Sequence, residues 1–315
     1  MPLTSGLTKT LTHGVTQNLF RRSARPLLDE DLPAAAVAVG MRKLKADYTG
    51  YAMLISSYAD ITNQAYVKFD DTGKVSQHSP LVHAAGSWTP PVDLRIMSQT
   101  DMAYVITWYD QSGNNRHFTN ATSAERPMLL YYGMQDNGPL FDAANDYLYC
   151  GYEFETDADD DYTYVAVCKT SSVSTVQGLF SDHSGTAYNR AIEVLNRAYY
   201  WSHFVMDIDL DSDLPISVTD KDIVNASYIN DGSSNNHKIR VNGAEESMTT
   251  AKDLEVGKRA QLAMAARQVP VNNSRYANGW AGNITEVVGF ESQLTTAQSE
   301  TMEKNMAAHY NITLA

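Results

Sequence analysis

The sequence predicts an all-β domain of two antiparallel sheets packed face to face, and three observations predict it. Short runs rich in Val, Ile, Tyr, Thr and Phe recur along most of the chain, clusters of Gly, Asn, Asp and Ser separate them, and helical patterns are confined to two places. Twelve runs qualify as strands: residues 52–56, 65–69, 104–109, 147–154, 163–169, 178–181, 191–195, 199–205, 223–228, 237–241, 261–265 and 284–290. Between them Asp70-Asp-Thr-Gly73, Asn230-Asp-Gly232 and Asn242-Gly243 supply the left-handed backbone positions that tight turns need.

The first helical stretch is the Ala-rich segment 34–45, which helix propensity assigns to one short N-terminal helix. The second closes the chain. Thr295-Thr-Ala-Gln298 fits a capping box, and Met302, Met306 and Tyr310 then recur at four-residue steps, predicting a helix over 296–309 with one face laid on the sandwich. Residues 1–32 read as an arm, with Arg21, Arg22 and Arg25 followed by Asp29, Glu30 and Asp31, and residues 33–315 as one large sandwich domain.

Bulk properties narrow the partners. Hydrophobic residues make up 43% of the chain, enough for a substantial core. A formal charge of -13 repels phosphate backbones and anionic lipid, which argues against nucleic acid and membrane and leaves neutral sugars, proteins or cations. No apolar run approaches a membrane span, and the Thr-rich start is unlike a signal peptide, so export by that route is not expected. Cys150 and Cys168 are too few for a disulfide framework and read as core thiols, with a pairing across neighbouring strands left open.

Chemical motifs are sparse. The histidines lack zinc spacing, and phosphate loops and a serine elbow are missing, so no cofactor is expected. Asp207, Asp209 and Asp211, with Asp213, alternate along one face of an extended segment and are candidate calcium ligands; a solvated acidic edge that resists strand addition is the competing reading. Tyr200, Trp201 and His203 are the candidate sugar contacts, since aromatic faces stack on pyranose rings, although strand alternation turns half of that run inward.

Four segments in order carry a family resemblance: Met41-Arg-Lys-Leu-Lys-Ala-Asp-Tyr-Thr-Gly50, Thr107-Trp-Tyr-Asp-Gln-Ser-Gly-Asn-Asn-Arg-His117, Gly138-Pro-Leu-Phe-Asp-Ala-Ala-Asn-Asp-Tyr-Leu148 and Trp280-Ala-Gly-Asn-Ile-Thr-Glu-Val-Val-Gly-Phe290. Together they resemble the catalytic domain of family 54 arabinofuranosidases and related domains of bacterial and tailed-phage proteins, all concanavalin A-like jelly-roll sandwiches. By themselves the Asp and Asn residues of these segments read as turn builders. The resemblance implies a Glu nucleophile, for which Glu193 is the candidate, and an Asp acid after the 262–266 strand, where this chain has Arg267 and Gln268. Neither donates a proton as a carboxylic acid does. The family's adjacent cysteine pair is also missing, the matching stretch reading Val176-Gln-Gly-Leu-Phe-Ser-Asp182.

The expectation is therefore a non-catalytic virion module of a tailed phage: a head fibre, decoration or tail-fibre component. It would contact other virion proteins through its arm, bind host-surface glycan, and form a homo-oligomer, a trimer by analogy. An active arabinofuranosidase-like glycoside hydrolase is the alternative.

Overall fold

The structure is a computed structural model that describes residues 25–99, 101–130, 137–154, 161–173, 177–183, 189–195, 198–203, 208–230, 235–250, 260–266 and 279–315. Two antiparallel sheets form the sandwich. The shorter runs β1 (Val37–Gly40), β19 (Ala281–Phe290), β10 (Tyr162–Thr170), β15 (Asp222–Asn230), β16 (Asn235–Val241) and β17 (Ala244–Thr250). One edge of the longer sheet is β4 (Leu81–Ala85), followed by β3 (Gln64–Val67), β2 (Met53–Ser57), β5 (Ala103–Trp108), β6 (Phe118–Thr119) and β9 (Leu148–Phe154). It continues through β18 (Ala260–Met264), β11 (Gln177–His183), β12 (Asn189–Leu195), β13 (Ala198–His203) and β14 (Ile208–Pro215). Two short strands, β7 (Met128–Leu130) and β8 (Leu140–Asp142), hydrogen-bond β5 to β19 and so join the two sheets. The predicted all-β sandwich is the fold, and each of the twelve expected strands is present.

The core lies between the sheets. Tyr162, Tyr164, Ala166 and Cys168 of β10 face Trp108, Phe118, Leu148, Phe180 and Met264 of the long sheet. The intervening Val165 and Val167 point the other way, into a second cluster with Val288, Phe290, Met302 and Met306. That cluster is capped by helix α2 (Thr296–Tyr310), following the single-turn α1 (Leu94–Met97) earlier in the chain. Being covered on both sides, β10 has no polar face. The predicted capping box at Thr295 and Gln298 is formed, and Met302 and Met306 are both fully buried, contributing roughly 1.5–3 kcal/mol each.

Segment 34–45 is not the expected helix. It contains β1, paired with β19 from Val37↔Gly289 to Gly40↔Glu286 and buried at each strand position. The small Ala35 and Ala38 belong to the cluster beneath α2, so the alanines that suggest a helix in isolation serve close packing in a sheet. Of the arm, the described residues from Arg25 dock on the domain: Leu27 is fully buried, and Asn305 of α2 donates to the Arg25 carbonyl at 2.7 Å and to Glu30 at 3.0 Å. Residues 1–24 lie outside the described part. Cys150 and Cys168 are buried on strands of different sheets and are not joined in a disulfide. No helix among the described residues is long and apolar enough to cross a membrane.

The segments carrying the family resemblance bond to one another. Asp110, buried after β5, accepts from the backbone N–H groups of Ala38, Ser112 and Arg116 at 2.8–3.0 Å and from the Ser112 hydroxyl at 2.7 Å. Gln111 accepts from Leu44 N–H at 2.8 Å and donates to the Arg42 carbonyl at 3.0 Å. Arg42 in turn forks onto Glu286 of β19 at 2.7 and 3.0 Å, and the Tyr310 hydroxyl donates to the same carboxylate at 2.7 Å. Burial alone would depress the Arg42 pKa, but Glu286 raises it above the ordinary value, so the guanidinium stays charged inside the fold. Gly138 and Gly282 keep positive φ, and a Cβ on either would fall 2.2 or 2.1 Å from the carbonyl oxygen of Ile284 or Lys169. These segments thus stitch β1, the β5 exit and β19 into one seam through Asp110, Gln111, Arg42 and Glu286.

Candidate functional site

The long sheet has a second face, turned away from the core, and it carries the candidate site. Pairing places Tyr66, Leu54, Thr107, Thr119, Tyr149 and Ala263 opposite one another across six adjacent strands. Residues directly opposite share a face, and Met53, Trp108, Phe118 and Met264, one step along each strand, are the buried set. Each residue of the row is only partly buried.

Four rings assemble at one end of this row. Tyr51 and Tyr66 stack with centroids 4.3 Å apart at 12°, Tyr109 lies 6.3 Å from Tyr66, and His117 meets Tyr109 edge-on at 4.9 Å. Local geometry explains each position: Tyr66 is an alternate residue of β3, Tyr109 follows the end of β5, and His117 precedes β6 on the return of the Asp110 loop. The His117 Nδ1 accepts from Asp110 N–H at 3.1 Å, which puts the proton on Nε2. That Nε2–H has no partner among the described residues. Burial lowers the His117 pKa against the opposing pull of Asp110, so the ring is neutral at pH 7. Burial also pushes the Tyr109 phenol up to about 12, keeping it a neutral donor and acceptor. Thr107 and Thr119 add hydroxyls 3.3 Å apart beside the rings. Apolar ring surface, hydroxyls and one oriented N–H suit recognition of a neutral polyol.

The residues nominated from sequence lie further along the same sheet. In β12 and β13, Glu193 pairs with Tyr200, which pairs with Asp211 of β14. Trp201 pairs with Ile192 and Leu210, and His203 with Arg190 and Ile208. Alternation therefore divides the proposed sugar contacts: Tyr200 shares a face with Glu193 and Asp211, whereas Trp201 and His203 share the other, the face of buried Phe180 through Ile192. Glu193 also pairs with Gly178, beside a register shift between Gly178 and Phe180. Asp209 pairs with Ser202, so Asp209 and Asp211 lie on the Tyr200 face of β14. Asp207, Arg267 and Gln268 lie outside the described residues. Among the described residues no group of three or more His, Cys, Asp or Glu side chains is placed to hold a metal.

One described carboxyl has acid character. Burial, and then the charge of Asp142, raises the Asp146 pKa to about 7, against one hydrogen bond received from Asp142 N–H at 3.1 Å. Asp142 itself holds Ala144 N–H at 2.8 Å. This is the turn before β9, built from the predicted Asp and Asn residues.

The ladder of Tyr51, Tyr66, Tyr109 and His117 was not legible in the sequence, because its members come from four segments joined only by sheet pairing. The one local signal was a single tyrosine in β3, Tyr66, and another directly after β5, Tyr109.

No protein-family model matches the chain, and no curated protein matches its sequence. Solved structures do match in fold. An arabinofuranosidase complexed with arabinofuranosyl-alpha-1,2-xylobiose superposes with a TM-score of 0.57 at 12% identity, covering 88% of this chain and 63% of that one. A variant of GH54 α-l-arabinofuranosidase soaked with 4-nitrophenyl α-l-arabinofuranoside gives 0.58 at 13% identity, with the same 88% and 63% coverage. The chain thus spans less than two thirds of the length of these enzymes, 63%. At such identities the likeness concerns the backbone: the chain shares the β-sandwich fold of the GH54 arabinofuranosidase structures.

Proposed function

We propose that the chain is a non-catalytic carbohydrate-binding module whose glycan lies across the Tyr51–Tyr66–Tyr109–His117 face of the long sheet. The observation that carries this reading is the half-exposed aromatic ladder beside a donor, His117 Nε2–H, that nothing in the described protein uses. Support comes from the fold shared with enzymes crystallised with arabinofuranosides. The non-catalytic half rests on sequence: Arg267 and Gln268 stand where the family resemblance asks for an acid. Glycan-array binding tests the reading. Wild type should bind a defined set of neutral glycans, Tyr66→Ala should lose about tenfold in affinity, and Trp201→Ala should not. A flat array, or loss through Trp201 and not Tyr66, would reject the platform.

The setting we propose is the particle of a tailed phage, with segment 1–32 attaching the module as part of a symmetric assembly, a trimer by analogy, and the sandwich facing host-surface glycan. The sequence resemblance supports it. If protein lacking residues 1–32 still joins particles normally, the attachment role is wrong.

One observation favours a hydrolase instead. Glu193 pairs with Gly178, a residue without a side chain, and β18, which ends two strands away, runs into the stretch where the acid is expected. Turnover of an aryl arabinofuranoside by wild type, abolished in Glu193→Gln, would establish that reading and remove the non-catalytic one.

A further inference from the structure

The outward row that begins at Tyr66 continues past the four rings. It crosses Leu54, Thr107 and Thr119 to Tyr149 of β9 and Ala263 of β18. Tyr66 and Tyr149 are four strand steps apart, so at roughly 4.8 Å per step about 19 Å separates them. The floor between them is half-buried and uncharged, formed by Leu54 and by the Thr107 and Thr119 hydroxyls. Past Tyr149, Ala263 carries only a methyl group, and the next residue of the row, Ser181 of β11, is buried, which ends the accessible stretch.

Tyr149 is a second aromatic station on this row. It lies on the outer side of β9 between Leu148 and Cys150, both fully buried, and its ring sits 6.2 Å from that of Tyr147 at 28°. Two residues on, Gly151 is exposed. A glycine inside a strand weakens it, and where one stands a bulge or the close approach of a ligand is the usual reason. A register shift of β18 does fall beside it, between Gln261 and Ala263. The Gly151 backbone is nevertheless outside the left-handed region, and a Cβ there would meet no atom of the described protein within 4 Å, so neither conformation nor packing demands glycine. Cys150 pairs with Phe118, and the next step of that ladder carries Gly151 toward His117. What the glycine preserves is open space between Tyr149 and the ring end of the row.

We propose that the four-ring platform is one end of a longer cleft, and that its ligand is a linear neutral glycan chain, at least a tetrasaccharide, running across the strands from Tyr66 to Tyr149 with Gly151 leaving room for it. The inference rests on the platform reading and adds the class of ligand. One sugar of an extended chain advances about as far as one strand spacing, so successive sugars fall over successive strands. A monosaccharide or disaccharide covers the ring end and leaves Tyr149 unused.

Isothermal titration of the full chain with linear gluco-, xylo-, manno- and galacto-oligosaccharides, from disaccharide to hexasaccharide, tests the assignment. Within a series that binds, the hexasaccharide should bind at least about tenfold more tightly than the disaccharide. Gly151→Trp should bring the hexasaccharide down to the disaccharide level without changing disaccharide binding, and Gly151→Ala should keep the wild-type dependence on length. Tyr149→Ala should remove most of the gain with length, whereas Tyr66→Ala should weaken binding at every length. Circular dichroism on each variant separates loss of the site from loss of the fold. Equal affinity for disaccharide and hexasaccharide in wild type, or an undiminished gain in Gly151→Trp, would overturn the long cleft and leave the platform standing. Absence of binding throughout the four series would remove both.

Discussion

Asp110→Asn separates the structural role of the Asp110 motif from a ligand-binding one. In the native protein four donors converge on the two oxygens of this buried carboxylate: Ala38 and Ser112 N–H on Oδ1, Arg116 N–H and the Ser112 hydroxyl on Oδ2. An Asn is best accommodated with its carbonyl at the Oδ1 position, keeping the Ala38 and Ser112 N–H groups, and its amide at Oδ2. The Ser112 hydroxyl can rotate to accept from that amide, but the Arg116 N–H faces another donor. Leaving one backbone N–H unsatisfied costs about 1–3 kcal/mol, and converting two charge-assisted bonds to neutral ones costs about 1 kcal/mol more, giving ~3 kcal/mol in total. Urea unfolding followed by tryptophan fluorescence should show this as a lower midpoint at unchanged m-value. Glycan binding by the folded variant should match wild type. A loss below about 1 kcal/mol, or lost binding at full stability, would refute the seam as the purpose of the motif.

Three further outcomes follow from the geometry. Glu286→Gln strands the Arg42 charge in the fold and should cost about 3–5 kcal/mol, whereas the double variant Arg42→Met with Glu286→Leu should recover much of it, measured by the same unfolding assay. Asp146 has a folded pKa near 7 against an ordinary value of about 3.9, so the native state binds more protons than the unfolded state between them and stability falls as pH rises through that window. Asp146→Asn should remove this fall and, given partial exposure, gain ~1–2 kcal/mol at pH 8, read from melts at pH 4 and 8. Because its ring is neutral at pH 7 with the proton on Nε2, His117→Phe should weaken glycan binding by loss of one hydrogen bond of about 1 kcal/mol and, since the Asp110 N–H loses its Nδ1 acceptor, should also lower the melting temperature; equal affinity in the folded variant would remove His117 from the site.

What the sequence determined by itself is local. Period-two runs gave strands, Asn242-Gly243 gave the left-handed pair of the β16–β17 turn with φ of 50° and 92°, and Thr295 with Gln298 gave the start of α2. Each signal depends on a few adjacent residues. Strands of two or three residues such as β6, β7 and β8 escaped because periodicity needs length.

Only the tertiary structure decided the rest. Helix propensity at 34–45 yielded to β19, whose free edge offers hydrogen bonds and burial to an alanine-rich strand. Alternation places Tyr200 and Trp201 on opposite faces, but the second sheet decides which face is the core. The aromatic ladder joins residues far apart in the chain, so its rings meet only once register has brought those segments side by side.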